Sequence, residues 1–188
     1  TCLCVRREKW HRDQYKPSGA DGPASGSGNG VAVEPSDGLE RAAVDPDAPV
    51  ASLVAGFSEA GFELMRTQSV DENLVFSPLS IGHALLMARA AADSATVAAI
   101  DSAFGLPDGM AAHDAWNALD LALAASNGTA TAIDDTKSPI VTVADRLWPS
   151  TTATPDQAWV DLMATHHGAG IETIDVNDGE ASTERINS

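Results

Sequence analysis

Residues 73–81 read Asn-Leu-Val-Phe-Ser-Pro-Leu-Ser-Ile, and they constrain the fold more than any other stretch of the chain. Leu74, Val75 and Phe76 supply β-type bulk and predict a short buried strand. Ser77 follows in the position of a helix cap, and Pro78 suits the first helical turn, where no backbone N–H is needed. The strand is therefore expected to run straight into a helix. Ser80 adds a second hydroxyl one turn further on. Two hydroxyls at a packed junction must both be satisfied, because an unmet buried hydroxyl costs about 1–3 kcal/mol.

Periodicity places the remaining elements. Val50, Leu53, Val54, Phe57, Leu64 and Met65 form one helical stripe through about Arg66, with Asp47 as the expected cap and Pro49 in the first turn. The helix from Pro78 to about Ala90 is apolar on more than one side and reads as an enclosed central helix. A third helix starts near Asp93 or Ser94, buries Val97, Ile100 and Phe104, and stops at Gly105-Leu106-Pro107. A fourth spans about His113 to Ser126, with Trp116, Leu119 and Leu123 inward. Residues 140–148 are apolar on both faces and predict a strand in a sheet covered on both sides. Thr154-Pro155-Asp156-Gln157 reads as a capping box opening a fifth helix whose buried stripe is Trp159, Leu162, Met163 and His166. A strand at about 171–176 and a sixth helix from 179 complete an α+β pattern.

Charge and composition narrow the function classes. The net charge is −16, distributed as +3 over residues 1–16 and −19 over the rest. So acidic a body repels phosphate backbones, which argues against nucleic acid as the main partner. The longest apolar run, 79–100, is interrupted by His83, Arg89 and Asp93, so no membrane span is expected. No secretory leader is visible at the N-terminus, whose basic residues are followed by polar ones. Cys2 and Cys4 are too few for a zinc site, which leaves lipidation near a membrane anchor as a minor alternative. Residues 17–49, rich in glycine, proline and serine, read as linker. The expected organisation is a disordered N-terminal segment and linker over 1–46 and a folded part over 47–188.

The nonapeptide resembles the start of helix B in serpins, a family of conformationally metastable protease inhibitors. Ala84-Leu85-Leu86-Met87 followed by Ala92 and Thr96 to Ile100 is similar to the serpin pattern through helices B and C. Val143-Ala144-Asp145-Arg146-Leu147-Trp148 resembles strand 2 of the main sheet, Thr154–Gly168 helix E, Ile171–Val176 strand 1, and Ile186-Asn187 the motif inside helix F. The resemblance covers about residues 50–188, in order. Departures are mild: Ala91 and Ser94 stand where the family has glycines, and Asp145 where it has asparagine. By this resemblance the domain is incomplete, a serpin-like N-terminal half that lacks the reactive loop.

The resemblance implies inhibition of a serine or cysteine protease by suicide-substrate trapping in the full-length form, with this fragment inactive. The resemblance also implies an extracellular or cell-surface location. A non-inhibitory serpin acting as a binding or carrier module is the alternative. The resemblance also assigns Ser77 and Ser80 to the shutter, where the main sheet parts to admit the loop.

Other candidates have plainer readings. Ser77 and Ser80 lack a glycine-flanked elbow and an identifiable base, so neither reads as a nucleophile and no enzyme activity is expected. His166-His167 invites a metal reading, but adjacent helical residues do not face one another, so the expectation is a packed His166, a solvated His167 and no metal or cofactor. Trp116, Trp148 and Trp159 read as core. Asn127-Gly128-Thr129 matches a glycosylation sequon, and Asp134-Asp135 reads as a solvated loop.

Overall fold

The computed structural model describes residues 2–3, 31–68, 73–127, 141 and 143–187. In chain order the elements are β1 (Cys2–Leu3), β2 (Val31–Ala32), α1 (Val50–Arg66), α2 (Pro78–Arg89), α3 (Ser94–Phe104), α4 (Ala111–Ser126), β3 (Val143–Ala144), β4 (Arg146–Leu147), α5 (Gln157–Leu162), a π-helical turn (Met163–His167), β5 (Gly170–Thr173) and α6 (Gly179–Asn187). Strand β5 is flanked by β2, antiparallel, and β4, parallel, while β1 pairs antiparallel with β3. The parallel pair sets Arg146 opposite Gly170 and Leu147 opposite Ile171. Parallel neighbours need a crossover, and α5 with its π turn provides it. The architecture is α+β, as the element order predicts.

Helix α2 lies between two apolar clusters, which is why it carries apolar residues on more than one side. Leu86 packs with Leu53, Phe57, Leu106, Ala112, Ala115 and Trp116. Its neighbour Met87 turns the other way, to Val160, Met163, Ala169 and Ile171. Backbones approach closely where α1 crosses the end of α3: a Cβ on Gly56 would overlap the carbonyl oxygen of Phe104. Gly105 ends α3 in the left-handed conformation (φ 53°), and Leu106 packs back into the first cluster, as the stop signal predicts.

Several expectations are corrected. Residues 73–77 form no strand, and Val75 is 96% exposed. A strand needs a partner for its backbone, and none of the described residues pairs with this stretch. The α1 stripe is only half inward: Leu53 and Phe57 are buried, while Val54, Leu64 and Met65 are exposed. Asp47 does not cap α1, whose N-cap position is Pro49 with no side-chain bond. The expected strand 140–148 is broken at Asp145 into β3 and β4. The cap of α5 is Asp156, which accepts from the N–H groups of Ala158 and Trp159, so the helix starts two residues later than the capping-box reading. Within the stretch read as linker, residues 31–46 run along the body. Val33 N–H donates to Ile171 O, Ala42 N–H donates to Thr165 O, and Val33 packs on the second cluster.

Candidate functional site

Helix α2 carries two polar constellations. The first is at its start. Ser77 is extended (φ −111°, ψ 109°), and its Oγ accepts from Ser80 N–H at 3.2 Å. The Ser80 hydroxyl lies 3.0 Å from the same oxygen. The two hydroxyls thus satisfy one another within a single turn, half-buried. Among the described residues no imidazole or carboxylate bonds to either, so the arrangement caps a helix and has no means of activating a nucleophile.

The second constellation lies further along α2 and is more deeply buried. His83 is fully enclosed. Its ring stacks on Trp116 of α4, with centroids 3.4 Å apart and planes within 13°. His83 Nε2 is 2.8 Å from Nδ1 of His167 in the π turn. His167 Nε2 is in turn 2.9 Å from Nδ1 of His113 on α4. At the other end His83 Nδ1 is 3.2 Å from Asp145 Oδ2, within ion-pair reach but off the line of a hydrogen bond. Four side chains from four parts of the fold therefore make one row, Asp145–His83–His167–His113. Each imidazole belongs to a buried residue, and the Asp145 side chain is 2% exposed.

Burial sets the protonation of this row. Desolvation, aided by the positive charge of Arg89, pushes His113 down to about 4. Desolvation also holds His167 well below the ordinary histidine range, with His83, His113 and Arg41 adding to the effect. Both are neutral at pH 7. Asp145 Oδ1 and the Trp116 indole N–H are buried without a partner among the described residues. Each such group costs about 1–3 kcal/mol.

Charged neighbours surround the row and are themselves paired. Arg41 donates to Asn117 Oδ1, to Asp120 at 2.7 Å and to the His166 carbonyl. Asn117 Nδ2 in turn donates to Ala42 O. These bonds tie residues 41–42 to α4 and the π turn. Arg89 bonds to both carboxylate oxygens of Asp101. No group of three or more histidine, cysteine, aspartate or glutamate side chains is arranged to hold a metal among the described residues. In the row, ring nitrogens bond directly to one another, which occupies the lone pairs a metal would need.

The expectation of a solvated His167 is corrected. His167 is 3% exposed, and His166 is half-buried, 3.3 Å from Asp114. The cause is the π turn, which inserts one extra residue per winding and brings position 167 inward. Trp116 is buried as expected, and Trp148 and Trp159 are half-buried. Trp159 Nε1 donates to Met87 O, and the Arg146 guanidinium sits 5.5 Å from the centre of the Trp148 ring. The Asn127 side chain is engaged with both the N–H and the carbonyl of Val141. Gly128, Thr129 and the Asp134-Asp135 pair lie outside the described residues, as does Cys4. Sequence reasoning did not find His83, His113, Asp145 or Arg41 as site residues. The available signals were two histidines on apolar helix faces and one isolated arginine in a long acidic stretch.

The family model described as Serpin (serine protease inhibitor) matches residues 54–188. A rice (Oryza sativa subsp. japonica) protein carrying the name serpin-Z6A is 36% identical over 117 residues, which is 62% of this chain and 28% of that protein. The chain thus spans well under a third of the curated relative it matches. With its elements in the expected order and a family match over nearly three quarters of its length, the chain belongs to the serpin family.

Proposed function

We propose that the full-length protein is an inhibitor of serine or cysteine proteases acting by suicide-substrate trapping, and that Ser77 and Ser80 are its shutter residues. The observation that carries this reading is the serpin match over residues 54–188, which includes the Ser77–Ser80 pair at the start of α2. In such a mechanism the protease nucleophile attacks a carbonyl in an exposed loop, and the peptide bond breaks to leave an acyl-enzyme. The loop then enters the sheet as an added strand and distorts the attached protease. The Ser77 and Ser80 hydroxyls, joined to one another, hold the start of α2 and fix the floor beneath the strands that part. The protein itself performs no turnover: it is a partner of proteases and not an enzyme. Its site of action is extracellular or at the cell surface.

The test incubates the full-length protein, and separately the 188-residue chain, with a panel of serine and cysteine proteases. An SDS-stable covalent complex with the full-length protein is expected, and none with the 188 residues alone. Cleavage of the full-length protein without complex, or no reaction across the panel, overturns the inhibitory reading in favour of a carrier or binding serpin. Failure of Ser77→Ala or Ser80→Ala to change the ratio of complex to cleaved product removes the shutter assignment.

A further inference from the structure

We propose that Asp145, His83, His167 and His113 form a buried relay that stores a single proton, received at the His113 end and held on His83 against Asp145. Donor counting carries the proposal. Each neutral imidazole has one N–H and one bare nitrogen. The Asp145 carboxylate lies 3.2 Å from His83 Nδ1, off the line of a hydrogen bond, and its negative charge favours the proton of neutral His83 on that nitrogen, leaving Nε2 bare. That nitrogen is 2.8 Å from His167 Nδ1, which must then be the donor. His167 Nε2 is left bare and accepts from His113 Nδ1 at 2.9 Å. One proton sits at each nitrogen–nitrogen contact, and all three rings share the Nδ1–H form.

This polarity can reverse once. A proton from solvent forms an N–H bond at His113 Nε2. The His113 Nδ1 proton passes to His167 Nε2, and the His167 Nδ1 proton passes to His83 Nε2. His83 becomes an imidazolium beside Asp145, and its face lies on the Trp116 ring, a favourable seat for a cation. Each contact still holds one proton, so no hydrogen bond is lost. A second proton has no such place: two N–H groups would meet at one contact, and the row would break.

The surroundings favour His83 as the seat of the charge. From α2, Arg89 faces the row but is paired with Asp101. From α4 come Asp114 and Asp120, the first beside His166 and the second bound to Arg41. The π turn contributes His166, and residues 31–49 contribute Arg41. Arg89 opposes positive charge on His113 and Arg41 opposes it on His167, both of which are lowered. Asp145, which interrupts the strand between β3 and β4, is the carboxylate at the end of the row. Because α2, α4, the π turn and the strand pair each supply one member, loss of the row at the second proton loosens the helical layer from the sheet.

Histidine-selective ¹⁵N NMR of the folded 188-residue chain tests the relay. At pH 8 all three rings are expected as Nδ1–H. On acidification His83 should become doubly protonated while His113 and His167 switch to Nε2–H, with one proton taken up by the row before unfolding. A neutral Nε2–H ring in the row at pH 8 overturns the proposal. So does an imidazolium at His113 or His167 with His83 neutral, or no change of ring form before unfolding. Asp145→Asn keeps the shape and removes the counter-charge. It should move His83 protonation to at least tenfold higher proton concentration, and an unchanged titration also overturns the proposal.

Discussion

The two polar groups on α2 solve the same problem at different ranges. Ser77 and Ser80 are three residues apart and satisfy each other within the first turn. His83, one turn further on, is satisfied by His167, 84 residues away, and through it by His113. The first group is a local device that the helix itself organises. The second exists only once four parts of the fold have come together. Polar residues on one helix can therefore differ widely in how much of the structure depends on them.

The largest effect that would break this contrast is at His83. His83→Ala removes a fully buried ring from Trp116, Asp145 and His167, and is expected to destabilise the chain by about 3–5 kcal/mol, read from urea unfolding. A loss as small as that of a serine cap would show that the row is not integral to the core.

Acid should act on the row and leave the serine pair untouched. His113 is lowered to about 4 in the fold, against about 6.5 when unfolded. Between these values the unfolded chain binds more protons, so stability rises with pH. The contribution of neutral His113 is complete above about pH 6.5 and is lost as pH falls toward 4, at about 1.4 kcal/mol per pH unit. Urea midpoints measured from pH 7.5 to 5 should therefore fall. His113→Gln should flatten that slope, whereas Ser80→Ala should leave it unchanged.

Two smaller effects sharpen the comparison. Arg41→Ala leaves Asp120 and the Asn117 carbonyl without their partner, at a cost of about 1.5–3 kcal/mol. It should also raise hydrogen exchange at Ala42, whose N–H is held by Thr165 O. Ser77→Ala removes a helix cap worth about 1 kcal/mol, seen as a small lowering of the unfolding midpoint. If Ser77→Ala proves costlier than Arg41→Ala, the junction carries more of the fold than its local bonding indicates.

Range also explains what was legible in the sequence. Helix α1, the Ser77 cap, the Gly105 stop and α6 are set by neighbours within a turn or two, and they stand where the pattern places them. The strand expected at 74–76 fails because a strand is defined by a partner, and β bulk alone supplies none. The row was hidden for the same reason. His83 and His113 are single histidines on apolar faces, and only the fold sets them either side of His167. Arg41 stands in a stretch that reads as linker because its surroundings are poor in apolar residues. It is nevertheless the one basic residue between Lys16 and Arg66, and it is spent on three bonds to α4 and the π turn.

The wide turn at Met163–His167 makes this chain sensitive to length more than to composition. A substitution there changes one side chain and leaves its neighbours aimed as before. Deleting one residue would return the segment to ordinary α winding and rotate everything beyond it by about 100°. His167 would swing off its two partners, and Gly168, whose left-handed backbone ends the helix at φ 59°, would arrive out of step with Arg41. The turn thus keeps count for the crossover between β4 and β5. A lost codon at this helix end would be felt in the interior as a mistimed rotation.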